Sequence, residues 1–166
     1  MSRDLSVEIR LLDARLAGWG FPRWGSADAA GLDLHACLDA ALDLPPQGPP
    51  ALIPAGFTLA IGDPAWCGLI FPRSGLGHRE GLVLGNGTGV IDADYAGPLL
   101  ISAWNRNPGG AGIRIEPGDR IAQLVFTRVT RPTLTVKAAE APRTEDQAVE
   151  APGGRGSGGF GSTGRR

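Results

Sequence analysis

The chain has 166 residues, of which 42% are hydrophobic and 20% charged, which suits one core of ordinary domain size and excludes wholesale disorder. Its formal net charge of -1 excludes a global positive field that would draw it onto nucleic acid or anionic lipid. No apolar run approaches the roughly 18 residues a membrane-spanning helix requires.

Apolar alternation, rather than a helical period, dominates the pattern along the chain. Val7, Ile9 and Leu11 alternate with Glu8 and Arg10 and predict a half-buried strand. In AGLDLHA, Asp33 stands between Leu32 and Leu34 and faces away from both, as a solvent-facing strand residue would. Short apolar or β-branched runs predict strands at 52–61 and 66–71. A short helix is expected over Ser74–Glu80, with Ser74 as N-cap and Gly81 at its end. Further strands are expected at 81–84, 99–104, around Ile113 and Ile115, at 120–129 and at 133–136, each bounded by Gly, Pro or Asp. Many short strands with such punctuation indicate an all-β sandwich or barrel. From Ala138 the apolar period ceases, so the chain divides into a β body, 1–137, and a flexible C-terminal arm, 138–166.

Several chemistries are excluded by residue type. The single lysine, Lys137, stands in TVKA, so no Walker A loop exists. Cys37 and Cys67 lie in apolar runs without a CxxC spacing, and no secretory leader opens the chain, which points to a reduced, cytoplasmic protein. His35 and His78 are too few and too separated for a zinc site. Gly156, Gly158 and Gly161 match GxGxxG by letter, but no strand precedes them and no helix follows.

Other segments are compatible with chemistry. PRSG puts Arg73, Ser74 and Gly75 at a helix start, either as an ordinary cap or as a phosphate site. Asp92 and Asp94 flank Ala93 ahead of Tyr95, either as a hairpin turn or as a carboxylate able to accept a proton from water beside a ring that floors a sugar. Asn86 could read a base edge, since an amide both donates and accepts. Gln123 shares an apolar strand face with Ile121 and Val125 and needs a partner there. The terminal RGSGGFGSTGRR is either a disordered tail or an amide-rich segment that wraps a polyphosphate while Phe160 stacks on a base.

Taken in order, AGLDLHA, PRSG, GNGTGVIDADYAG, GDRIAQL and RGSGGFGSTG resemble the five motifs of the homotrimeric deoxyuridine triphosphatase family. Each is weak alone; five in this order are hard to obtain by chance. The resemblance implies a jelly-roll-like β fold, a homotrimer with active sites shared between subunits, and hydrolysis of dUTP to dUMP and pyrophosphate. That reaction limits uracil incorporation into DNA and supplies dUMP for thymidylate synthesis. It further implies that Asp92 is the general base for water attacking the α-phosphorus and that Gln123 lies near the phosphates and that water. Arg73, Ser74 and Gly75 would contact phosphate, Asn86, Gly89, Val90 and Ile91 would form the uracil-reading loop, and Tyr95 would pack beneath deoxyribose. In the arm, Arg155 would clamp the γ-phosphate, Phe160 would stack over uracil, and Gly161, Ser162 and Thr163 would hold phosphate. Mg2+ would be carried by the phosphates and reached by Asp33 through water. The extra glycine in Asn86–Gly89, with Ala96 and Pro98, departs from the family pattern. Two other readings remain: a sister dCTP deaminase, which needs a glutamate that PLLISAWN lacks, and a catalytically silent nucleotide-binding protein.

Overall fold

The computed structural model describes residues 5–138, and the chain divides into two units, 1–131 and 132–166. The first unit holds β1 (Glu8–Leu11), α1 (Arg15–Gly18), β2 (Leu32–His35), β3 (Leu42–Leu44), β4 (Ala51–Ala60) and β5 (Trp66–Pro72). These are followed by α2 (Ser74–Arg79), β6 (Leu82–Leu84), β7 (Gly89–Ile91), β8 (Pro98–Asn105), β9 (Ile113–Ile115) and β10 (Arg120–Arg128). One antiparallel sheet has the order β1-β4-β8-β6, a second β2-β10-β5-β7, and β3 pairs with β9 in a small third. This is the all-β architecture that the run of short strands predicts, in the jelly-roll-like form that the family resemblance implies.

Period-two alternation builds the core directly. Along β4, Ile53, Ala55, Phe57 and Leu59 turn inward, and along β8, Leu99, Ile101 and Ala103 do the same. The second sheet contributes Leu32 and Leu34 from β2, Ile70 from β5, and Ala122 and Leu124 from β10 to the same cluster. Phe21 leans on Phe57 with ring centroids 4.7 Å apart. α1 adds Leu16, fully buried, while Asp13 accepts the Arg15 backbone N–H at 2.9 Å and holds the first turn.

Two expectations are corrected and a strand is added. Residues 133–136 form no strand: Leu134 and Val136 are 79% and 91% exposed, so the alternation is not buried against any of the described residues. β7, a strand not expected from the sequence, pairs with Gly68–Ile70 of β5 ahead of the Asp92–Asp94 turn. Ser74 is not the N-cap. Arg73 occupies that position in an extended conformation (φ -76°, ψ 130°) because its side chain is tied to neighbouring strands, and Ser74 is the first helical residue. Gly81 does end α2, at φ +80°, the left-handed conformation expected just past a helix.

Candidate active site

β2, the β5–α2 junction and β10 meet at an open pocket of about 630 Å³. Of the residues singled out in the sequence, Asp33, Arg73, Ser74, Gly75 and Gln123 line it; Arg79 and Arg120 join them. A smaller pocket of about 350 Å³ adjoins it and shares Arg73, Leu76 and Arg120.

Asp33 sits at the centre of the charge. All four residues of β2 are buried, which overturns the solvent-facing expectation. The reason is pairing: Asp33 Oδ1 lies 3.1 Å from Arg73 Nε, and Oδ2 accepts from Arg120 Nη1 at 2.8 Å. Charged side chains are buried when paired. Arg73 also donates from Nη1 to the Arg120 carbonyl at 3.2 Å. With Arg79 on the rim, three guanidiniums face one carboxylate in this pocket, leaving a cationic surplus suited to an anion.

Gln123 finds its partner in the Pro72 carbonyl, to which Nε2 donates at 3.1 Å. It shares its face with Val125 but not with Ile121, because an irregularity between Arg120 and Ala122 turns Ile121 into the core beside Ala122. Gly31 makes room for the amide: a Cβ there would lie 2.5 Å from Gln123 Oε1.

The second group of sequence-predicted residues lies elsewhere. Asn86, Gly89, Val90, Ile91, Asp92 and Tyr95 do not line the pocket. They follow β6 and run through β7 at the edge of the second sheet. Asp92 and Asp94 are exposed, as is Val90 at 61%. The Asp92 carbonyl accepts the Tyr95 N–H at 3.1 Å, closing a turn, and the Tyr95 hydroxyl donates to the Pro98 carbonyl at 2.8 Å, fixing the ring over Gly97. Arg155, Phe160, Gly161, Ser162 and Thr163 lie outside the described residues.

Behind the pocket, His35 is 2% exposed, stacks on Trp19 at 6.0 Å and has no hydrogen-bond partner at Nδ1. Burial pushes its pKa down, against an opposing pull from Asp33. Burial likewise pushes the Cys37 thiol up to about 11.

No three His, Cys, Asp or Glu side chains cluster as metal ligands among the described residues. Asp33 nevertheless retains a lone pair on each oxygen beyond its guanidinium bonds. That donor set fits a magnesium ion held mainly by phosphates and water, and not one caged by protein.

Arg120 and Arg79 were missed as pocket residues by sequence reasoning. Arg120 lies inside GDRIAQL, but its reach to Asp33 spans 87 positions and depends on the bulge.

The dUTPase family model matches residues 18–164. Deoxyuridine 5'-triphosphate nucleotidohydrolases of Xanthomonas oryzae pv. oryzae (strain MAFF 311018) and Xanthomonas campestris pv. campestris (strain B100) are each 51% identical over 162 residues, covering 97% of this chain and 96% and 98% of theirs. Among solved structures, the Staphylococcus bacteriophage 80alpha dUTPase with dUPNHPP superposes with a TM-score of 0.74 at 26% identity, covering 96% of this chain and 99% of that one. A variant of the dUTPase from phage phi11 of S. aureus, described with a coordinated structural Mg(II) ion, has a TM-score of 0.66 at 26% identity, covering 81% and 97%. With its motifs, its jelly-roll sheets and these matches over nearly its whole length, the chain belongs to the dUTPase family.

Proposed function

We propose that this dUTP hydrolase acts as a homotrimer whose active sites are shared between subunits, cleaving dUTP to dUMP and pyrophosphate with Asp92 as general base. In the reaction, a water oxygen bonds to the α-phosphorus as its proton passes to the Asp92 carboxylate. The bond from the α-phosphorus to the bridging oxygen breaks, and pyrophosphate leaves. Arg73, Ser74, Gly75 and Gln123 hold the phosphates, and Arg155, Gly161, Ser162 and Thr163 of the arm, 138–166, close over them. Asn86, Gly89, Val90 and Ile91 read uracil, Tyr95 floors the deoxyribose, and Phe160 stacks on the base. Mg2+, reached by Asp33 through water, would neutralise phosphate charge when bound.

The observation that carries this reading is the separation of the two residue groups. The cationic pocket holds Asp33, Arg73, Ser74, Gly75 and Gln123 without a base or a sugar floor, while Asp92 and Tyr95 stand exposed on the β7 side. Two half-sites in one chain support completion by a neighbouring copy. The exposed Leu52, Val90 and Leu100 supply apolar surface for such association. Two buried thiols without a disulfide accord with a cytoplasmic setting, and no helix among the described residues is long and apolar enough to cross a membrane.

Product analysis by chromatography after separate incubation with dUTP, dCTP, dTTP and UTP in the presence of magnesium tests the reading. Conversion of dUTP alone to dUMP and pyrophosphate is the expected result. Deamination of dCTP, or binding of dUTP without turnover, would overturn it.

A further inference from the structure

We propose that Arg120 is a positioning residue for hydrolysis, keeping Arg73 turned toward the phosphates by occupying one oxygen of Asp33. The inference rests on the assignment of Arg73 to the phosphates and adds a residue to that machinery.

Two hydrogen bonds and one ion pair close a triangle. Arg73 Nε meets Asp33 Oδ1 at 3.1 Å, Arg120 Nη1 donates to Asp33 Oδ2 at 2.8 Å, and Arg73 Nη1 donates to the Arg120 carbonyl at 3.2 Å. The Asp33 side chain is 10% exposed, against 31% for Arg73 and 36% for Arg120, so the carboxylate is the buried hub and the guanidiniums are the open ends. A guanidinium has five N–H donors. On Arg73 this arrangement holds Nε against the carboxylate as an ion pair and uses one N–H of Nη1, leaving both hydrogens of Nη2 for a ligand.

An arginine facing a carboxylate alone tends to bind it fork to fork, through Nε and Nη2 together. Arg120 prevents this by holding Oδ2. Without the Arg120 side chain, Oδ2 becomes a buried acceptor lacking a partner, which is costly. The nearest remedy is for Arg73 to rotate and give Nη2 to Asp33, drawing its ligand-facing edge into the wall.

The backbone is built for this role. Beside the irregularity on β10 between Arg120 and Ala122, the Arg120 side chain reaches Asp33 and its carbonyl reaches Arg73. The preceding turn is fixed from the other side: Ala36 N–H donates to the Asp119 carbonyl at 2.8 Å, and Gly118 N–H to the Ala36 carbonyl at 2.9 Å. Truncating the Arg120 side chain therefore leaves its carbonyl, and the fold of the strand, in place.

A double-mutant cycle on the full-length chain tests the proposal. Affinities for the non-hydrolysable α,β-imido analogue of dUTP and for deoxyuridine are measured at fixed magnesium in the unaltered protein, Arg120→Ala, Arg73→Ala and the double variant. Arg120→Ala is expected to weaken the analogue by roughly 10- to 100-fold, the worth of a hydrogen bond to a charged group, and to leave deoxyuridine unchanged. In the Arg73→Ala background it should cost nothing more. Arg120→Lys, which keeps a donor on Oδ2, should recover most of the loss. Additive losses would mean that Arg120 grips phosphate itself and would overturn positioning through Arg73. Equal losses for deoxyuridine, or none for the analogue, would overturn it as well. Unaltered protein that binds the analogue but does not hydrolyse dUTP would refute the proposed reaction alone, since the cycle is read from binding.

Discussion

The pocket between β2, α2 and β10 and the loop that follows β6 are built on opposite principles. In the pocket, the two charges singled out and one neutral amide are already engaged: Asp33 by two arginines, Arg73 by Asp33 and a carbonyl, and Gln123 by the Pro72 carbonyl. In the loop, the backbone is held by the pairing of β7 with β5 and by the Tyr95 turn, but the Asp92 and Asp94 side chains are exposed and Val90 offers bare apolar surface. A region that is satisfied internally arrives preorganised for a ligand. A region left unsatisfied gains its environment from another surface.

The sharpest way to break this comparison is at Asp92. Asp92→Asn keeps the size of the side chain but removes the proton acceptor, so turnover should fall by about 10²- to 10⁴-fold while the imido analogue binds as before. Near-normal turnover would place the base elsewhere. Next in size is the arm: ending the chain at residue 154 should leave a folded oligomer by size-exclusion chromatography with activity lowered on the order of a hundredfold, because phosphate-holding donors are lost and the core is not. Full activity in that variant would mean that the pocket and the loop suffice without it.

Much of this division was legible in the sequence, for reasons that differ between the halves. β4 and β8 were plain because their inward positions are apolar at every second residue. β7 and β3 were not, although the equally short β6 and β9 were. β2 misled: LDLH alternates as a half-exposed strand does, yet its polar face is buried too. What buries it comes from residues 73 and 120, and no local pattern carries that distance. The same distance hid Arg120. The segment 133–136 failed in the opposite sense, for alternation is a necessary feature of a strand and not a sufficient one.

A smaller effect probes the buried end of β2. His35 has its pKa lowered chiefly by burial, so the folded protein refuses a proton that the unfolded chain accepts once the pH drops below about 6.5. The sign follows: between its two pKa values the unfolded state binds more protons, and stability declines as pH falls through that window. Urea midpoints from pH 7.5 to 5.5 should fall in the unaltered protein and fall less in His35→Phe, which keeps a ring on Trp19. Equal declines would assign the acid sensitivity to other groups.

The smallest effect tests whether the Tyr95 turn of the loop is set by its own chain. The Tyr95 hydroxyl gives a single bond to the Pro98 carbonyl at a side chain that is 40% exposed. Tyr95→Phe should therefore cost no more than about 1 kcal/mol of stability, since a hydrogen bond of this kind is largely exchanged with water on unfolding. The ring itself remains, so preference for dUTP over UTP should persist in Tyr95→Phe and collapse in Tyr95→Ala, measured as the ratio of kcat/KM values for the two substrates. Loss of preference in the phenylalanine variant would show that the hydroxyl anchor, and not the bulk of the ring, sets the position of the sugar floor. The loop would then be held by its own turn to the same degree as the pocket, and the contrast between the two regions would narrow to Asp92 alone.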